Sequence, residues 1–103
     1  MLNSIKNLFR TEKTDFAQLV KEGAIILDVR SKSEYASGHI KGSVNIALDQ
    51  LEKNLEKLKS KNKPVITCCA SGMRSETAKN VLISNGFTEV FNGGGWSSLK
   101  NSI

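Results

Sequence analysis

Val65-Ile66-Thr67-Cys68-Cys69-Ala70-Ser71-Gly72-Met73-Arg74-Ser75-Glu76-Thr77-Ala78 reads as a short strand, a tight loop and the start of a helix. Pro64 marks the start of the strand, and the β-branched run Val65-Ile66-Thr67 suits a strand buried in a parallel sheet. Apolar character then stops at once, giving a six-residue loop from Cys69 to Arg74 built of small, polar and glycine residues. It resumes at Ala78, Val81, Leu82 and Ile83, the buried face of a helix. This order places a cysteine at the end of a strand, against the amino end of a helix.

That position favours a thiolate. The helix dipole and the amides without intrahelical partners both stabilise negative charge there. If the amides from Ala70 to Ser75 converge, they form an anion-binding nest. Gly72 supplies the backbone freedom for the curl, and Ala70 and Ser71 leave room for a ligand. Arg74 adds a fixed charge with a planar donor fork suited to oxyanions. Cys69 is therefore the candidate nucleophile, with a thiol pKa drawn down from about 8.5. Cys68, one residue earlier and on the opposite face of the strand, reads as core packing. His39 reads as a hydrogen-bonded structural residue.

Working outward, Thr14 is placed to cap a helix over residues 15–22, with Phe16, Leu19 and Val20 inward and Gly23 ending it. Ala24-Ile25-Ile26-Leu27-Asp28-Val29 is a buried strand, followed by a short helix capped by Ser31 or Ser33 and closed by Gly38. A brief strand falls near Val44-Asn45-Ile46, and Leu48, Leu51, Leu55 and Leu58 mark a helix. Phe87 to Phe91 is the last strand, Asn92-Gly93-Gly94-Gly95 a loop, and Trp96 to Ser102 a closing helix. Helices alternating with short apolar strands predict an α/β fold: a central, mainly parallel sheet of about four to five strands, flanked by helices on both faces. Ligands of such sheets bind beyond the carboxyl ends of the strands, where Asp28-Val29-Arg30 and Cys69 both fall.

Composition narrows the function classes. A chain of 103 residues makes one domain, and no apolar run approaches the ~20 residues of a membrane span. The first ten residues lack a signal-like apolar core; Leu2, Ile5, Leu8 and Phe9 are spaced as a short helical arm. The net charge of +5 resides largely in Lys53, Lys57, Lys59, Lys61 and Lys63, interleaved with Glu52 and Glu56. Without aromatics between them, these lysines describe a solvated face and no nucleic-acid surface. The two cysteines are adjacent, too strained to pair with each other and too few for a zinc site, so no metal or cofactor is expected. Free thiols imply a reducing compartment, hence the cytoplasm.

Four motifs in order give the sequence its resemblance to a single-domain rhodanese, the sulfurtransferase homology domain. They are Leu27-Asp28-Val29-Arg30; Glu34-Tyr35 with Gly38-His39-Ile40-Lys41-Gly42-Ser43-Val44-Asn45-Ile46; Cys69-x-x-Gly72-x-Arg74-Ser75; and the glycine run with Trp96. The resemblance implies a rhodanese-like domain over residues 11–103, preceded by the arm over residues 1–10 that the apolar spacing predicts. It also implies that Cys69 takes sulfane sulfur from a small anionic donor, thiosulfate or a persulfide, and holds it as a persulfide. A thiol, cyanide or protein acceptor would then remove it. The amides of Ala70, Ser71, Gly72, Met73, Arg74 and Ser75 would cradle that sulfur, and Arg74 would bind the donor's anionic end. Asp28 and Arg30 match the family's structural pair. Two alternatives share the cysteine loop: a small phosphatase or arsenate reductase, and a non-catalytic binding module. The phosphatase loop has five residues between cysteine and arginine; here Ala70 to Met73 make four, a ring better sized for one sulfur atom than for phosphate.

Overall fold

The computed structural model describes residues 14–103; the expected arm over residues 1–10 lies outside the described residues. Four strands, β1 (Ile25–Asp28), β2 (Val44–Asn45), β3 (Val65–Cys69) and β4 (Val90–Gly95), form one sheet in the order β2-β1-β3-β4. Every pairing is parallel, as the alternation of elements predicts. All five residues of β3 are buried, because the strand is central and covered on both faces.

The pleat divides the core in two. Leu27, Val65 and Cys69 pack with Leu51, Leu58 and Leu82 on one face. Ile26, Ile66 and Cys68 pack with Leu99, Trp96 and Leu19 on the other. The second face is covered by α1 (Phe16–Lys21) and by α4 (Trp96–Ser102). α2 (Lys32–Ser37) follows β1, and α3 (Met73–Ser84) follows β3, burying Ser75, Ala78 and Leu82.

Three local expectations change. α1 is capped by Asp15, not Thr14, since the Asp15 carboxylate accepts from Gln18 N at 3.0 Å. The leucine-marked segment is a pair of 3-10 turns, Leu48–Gln50 and Glu52–Leu58, in place of an α-helix. The three-residue spacing of Leu48 to Leu51 and of Leu55 to Leu58 fits such turns. Asn54, at φ −130°, breaks the run while its side chain donates to the Gln50 carbonyl at 2.8 Å.

The glycine run is the third change: it lies within β4 and is no loop. Thr67 pairs with Asn92 but Cys69 with Gly95, so β4 carries one extra residue there, a bulge. Gly94 sits at φ +79°, and a Cβ on Gly93 would come within 2.8 Å of Ile66 and 2.9 Å of the Thr67 carbonyl. Only glycine lets the two backbones approach this closely.

Candidate active site

β1 and β3 are neighbours with Asp28 opposite Cys68, which brings both strand ends to one rim. Val29 N donates to the Cys68 carbonyl at 3.0 Å and continues the ladder past β1. Asn45, on β2, donates to the Asp28 and Arg30 carbonyls at 3.0 and 2.9 Å and fixes the turn leaving β1.

Asp28 and Arg30 form a buried pair beneath this rim. Arg30 Nε donates to both carboxylate oxygens at 3.0 and 3.1 Å, and Nη2 donates to Oδ2 at 2.8 Å. The guanidinium also donates to the carbonyls of Gly38 (2.7 Å) and Glu34 (3.2 Å) and lies 4.6 Å from the Trp96 ring centre. The guanidinium is thus engaged by the fold on every side. His39 Nδ1 lies 2.7 Å from the Tyr35 carbonyl and its ring stacks on Tyr35 at 3.8 Å.

Cys69 ends β3 with its sulfur beneath the loop. Gly72, at φ +108°, turns the chain so that its amide points back to Sγ at 3.0 Å. The helix begins at Met73, two residues earlier than a loop running to Arg74 implies, so Arg74 and Ser75 already occupy the first turn of α3. There the Ser75 amide reaches Sγ at 3.3 Å. Ala70, Ser71, Met73 and Arg74 complete the turn, and the Met73 side chain points outward, 80% exposed.

The loop pattern points only to the Ser75 amide, yet the Ser75 hydroxyl links the thiol to β4. The Cys69 thiol donates to Ser75 Oγ at 3.4 Å, and that hydroxyl donates to Asn92 Oδ1 at 2.6 Å. Asn92 accepts from the Gly94 amide at 2.9 Å and donates to the Gly72 carbonyl at 3.2 Å and to Glu76 at 3.0 Å. The β4 bulge thus carries the brace of the cysteine loop. Nothing in the sequence marks Asn92, which sits in a glycine-rich run that reads as a loop.

The two thiols diverge electrostatically. Burial pushes the Cys69 thiol up, but the Ser75 hydroxyl and the amides of Ser75, Gly72 and Ser71 together outweigh it and leave it lowered. Burial, with Asp28 nearby, pushes Cys68 up to about 12, the direction that favours its protonated form. Among the described residues no cluster of metal-ligating side chains occurs, and no helix is long and apolar enough to cross a membrane.

Arg74 is the residue whose surroundings differ most from the sequence reading. Its Nη1 and Nη2 donate to the two oxygens of Glu34 at 2.8 and 2.9 Å, a bidentate pair in which both side chains stay partly exposed. Glu34 is held in place by α2, whose capping box has its carboxylate accepting from Ser31 N and Oγ, each at 3.0 Å. The arginine holds the Glu34 carboxyl well below the usual carboxylate range. A cavity of about 370 Å³, lined by Val29, Ser31, Ala47, Leu48, Asp49 and Arg74, opens at the same rim.

Fold and site define a class of protein: a small parallel α/β domain with a thiolate-stabilising loop between a central strand and a helix. The family model of the rhodanese-like domain matches residues 12–102, and the chain belongs to this family. It is 36% identical over 78 residues to the thiosulfate sulfurtransferase GlpE of Pseudoalteromonas translucida, covering 71% of this chain and 69% of the relative. It is also 34% identical over 93 residues to YibN of Escherichia coli K12, covering 88% of this chain but only 64% of that protein. A solved Escherichia coli rhodanese with anions superposes with a TM-score of 0.69 at 32% identity, covering 73% of this chain and 89% of that one.

Proposed function

We propose that the chain is a sulfurtransferase that carries sulfane sulfur as a persulfide on Cys69. The observation that carries this reading is the set of polar groups around one sulfur: the Gly72 and Ser75 amides donate to Sγ at 3.0 and 3.3 Å, and the Ser75 hydroxyl oxygen lies 3.4 Å from it. They favour the thiolate before transfer and suit the anionic persulfide after it. In the first half-reaction the Cys69 thiolate attacks the outer sulfur of the donor. The donor's S–S bond breaks and its electron pair leaves with the rest of the donor, sulfite in the case of thiosulfate. In the second, an acceptor thiolate or cyanide attacks the outer sulfur of the Cys69 persulfide and restores the thiolate. No cofactor takes part, and the unpaired thiols suit a reducing, cytoplasmic setting. Relatives named thiosulfate sulfurtransferase support the reading at the level of the family.

Mass spectrometry after incubation with a sulfane-sulfur donor tests it. One added sulfur on Cys69, lost in Cys69→Ala and kept in Cys68→Ala, is the expected result. Equal loss in both variants, or no adduct on the wild type, overturns it. An aryl-phosphate assay tests the phosphatase alternative, for which hydrolysis lost in Cys69→Ser is the signature.

A further inference from the structure

We infer that, within the sulfurtransferase reading on which this rests, the donor is a carbon-bound persulfide, R–S–SH, and that Glu34 sets this preference by neutralising Arg74. Two independent observations carry it. Arg74, the cation of the loop, has both ends of its donor fork on Glu34, and Glu34 is itself fixed by Ser31. A small dianion therefore meets a compensated charge, and to reach the guanidinium it must displace a carboxylate held in two other hydrogen bonds. The cavity beside Arg74 repeats the theme: its walls add Asp49, a second acid, and the aliphatic surfaces of Val29, Ala47 and Leu48. Its volume of about 370 Å³ lies within the usual span for organic ligands, ~300–1,000 Å³. An inorganic ion leaves this apolar space unfilled; an alkyl group on the donor's inner sulfur occupies it.

The transfer balances without an added oxidant or reductant. The Cys69 thiolate bonds to the outer sulfur of R–S–SH, and the donor's S–S bond breaks. The electron pair leaves on the carbon-bound sulfur, and the proton of the outer sulfur passes to it. The products are R–SH and the Cys69 persulfide anion.

Single-turnover formation of the Cys69 persulfide, followed by mass spectrometry, tests this with two probes: thiosulfate and 2-hydroxyethyl hydropersulfide. The readout is the ratio of the hydropersulfide rate constant to that of thiosulfate. Glu34→Gln keeps an oxygen for Ser31 but frees the arginine's charge, and it is expected to lower the ratio about fivefold by speeding thiosulfate, the size of one partly exposed charge interaction. Ala47→Leu narrows the cavity and is expected to lower the ratio by slowing the hydropersulfide. It decides the matter should Glu34→Gln fail to fold, which circular dichroism reports. A ratio within about twofold of wild type in the folded variants overturns the inference while leaving the sulfurtransferase reading standing. Absence of a wild-type persulfide with both probes overturns the inference and the sulfurtransferase reading together.

Discussion

At Cys69 burial and hydrogen bonding act in opposite directions on one thiol. Desolvation raises its pKa, and the hydrogen bonds from Ser75, Gly72 and Ser71 lower it by more. The Ser75 hydroxyl has one proton to give. In the neutral state it goes to Asn92 Oδ1 at 2.6 Å, and the thiol donates to the oxygen. An ionised sulfur is an acceptor within reach of the same hydroxyl, which is how the Ser75 side chain lowers the thiol pKa. Alkylation rate tracks the thiolate, and a lowered pKa shifts its midpoint to lower pH. The iodoacetamide profile of Cys69 is therefore expected to have its midpoint below the ~8.5 of an ordinary thiol, and Ser75→Ala to move it upward. Cys68, pushed up to about 12, is expected to stay unmodified across the same range. A shared midpoint for both cysteines would contradict the assignment.

At the scale of elements, the loop owes its shape to a strand that the sequence hides. Glycines give no alternation of apolar and polar side chains, so residues 92–95 carry no strand signal, yet they extend β4 against β3. Gly93 is where the contact is tightest, with Ile66, Leu99 and the Thr67 carbonyl all within 2.9 Å of any added Cβ. The Thr67 carbonyl is backbone and yields only if the strands part. Gly93→Ala is expected to cost about 1–3 kcal/mol in urea denaturation. Because Asn92 precedes it and braces Ser75, the Cys69 alkylation midpoint should shift as well. The place of α2 was legible in the sequence, but its cap stood open between Ser31 and Ser33; the structure selects Ser31, which forms a capping box with Glu34. The 3-10 segment was not, since Leu48, Leu51, Leu55 and Leu58 are spaced compatibly with both helix types and Asn54 decides between them.

Across the whole molecule, Arg30 joins the end of β1, the end of α2 and the start of α4. It pairs with Asp28, donates to the Glu34 and Gly38 carbonyls and lies against Trp96. Asp28 is 0% exposed and Arg30 4%, so removing one partner leaves a charge buried alone. Arg30→Met is expected to lower stability by about 3–5 kcal/mol, measured by urea unfolding. Loss of under about 1 kcal/mol would show that Asp28 finds another partner. The parallel α/β class, the strand–loop–helix around Cys69 and the separation of the two cysteines by face follow from the residues read in order, because these depend on periodicity and on residues a few positions apart. Only the tertiary structure decided that Glu34 closes on Arg74 forty residues later, that Asn92 braces Ser75, and that the glycines run as a bulged strand. Those contacts depend on which strands lie side by side and how closely their backbones pack, and no local pattern of side chains encodes that.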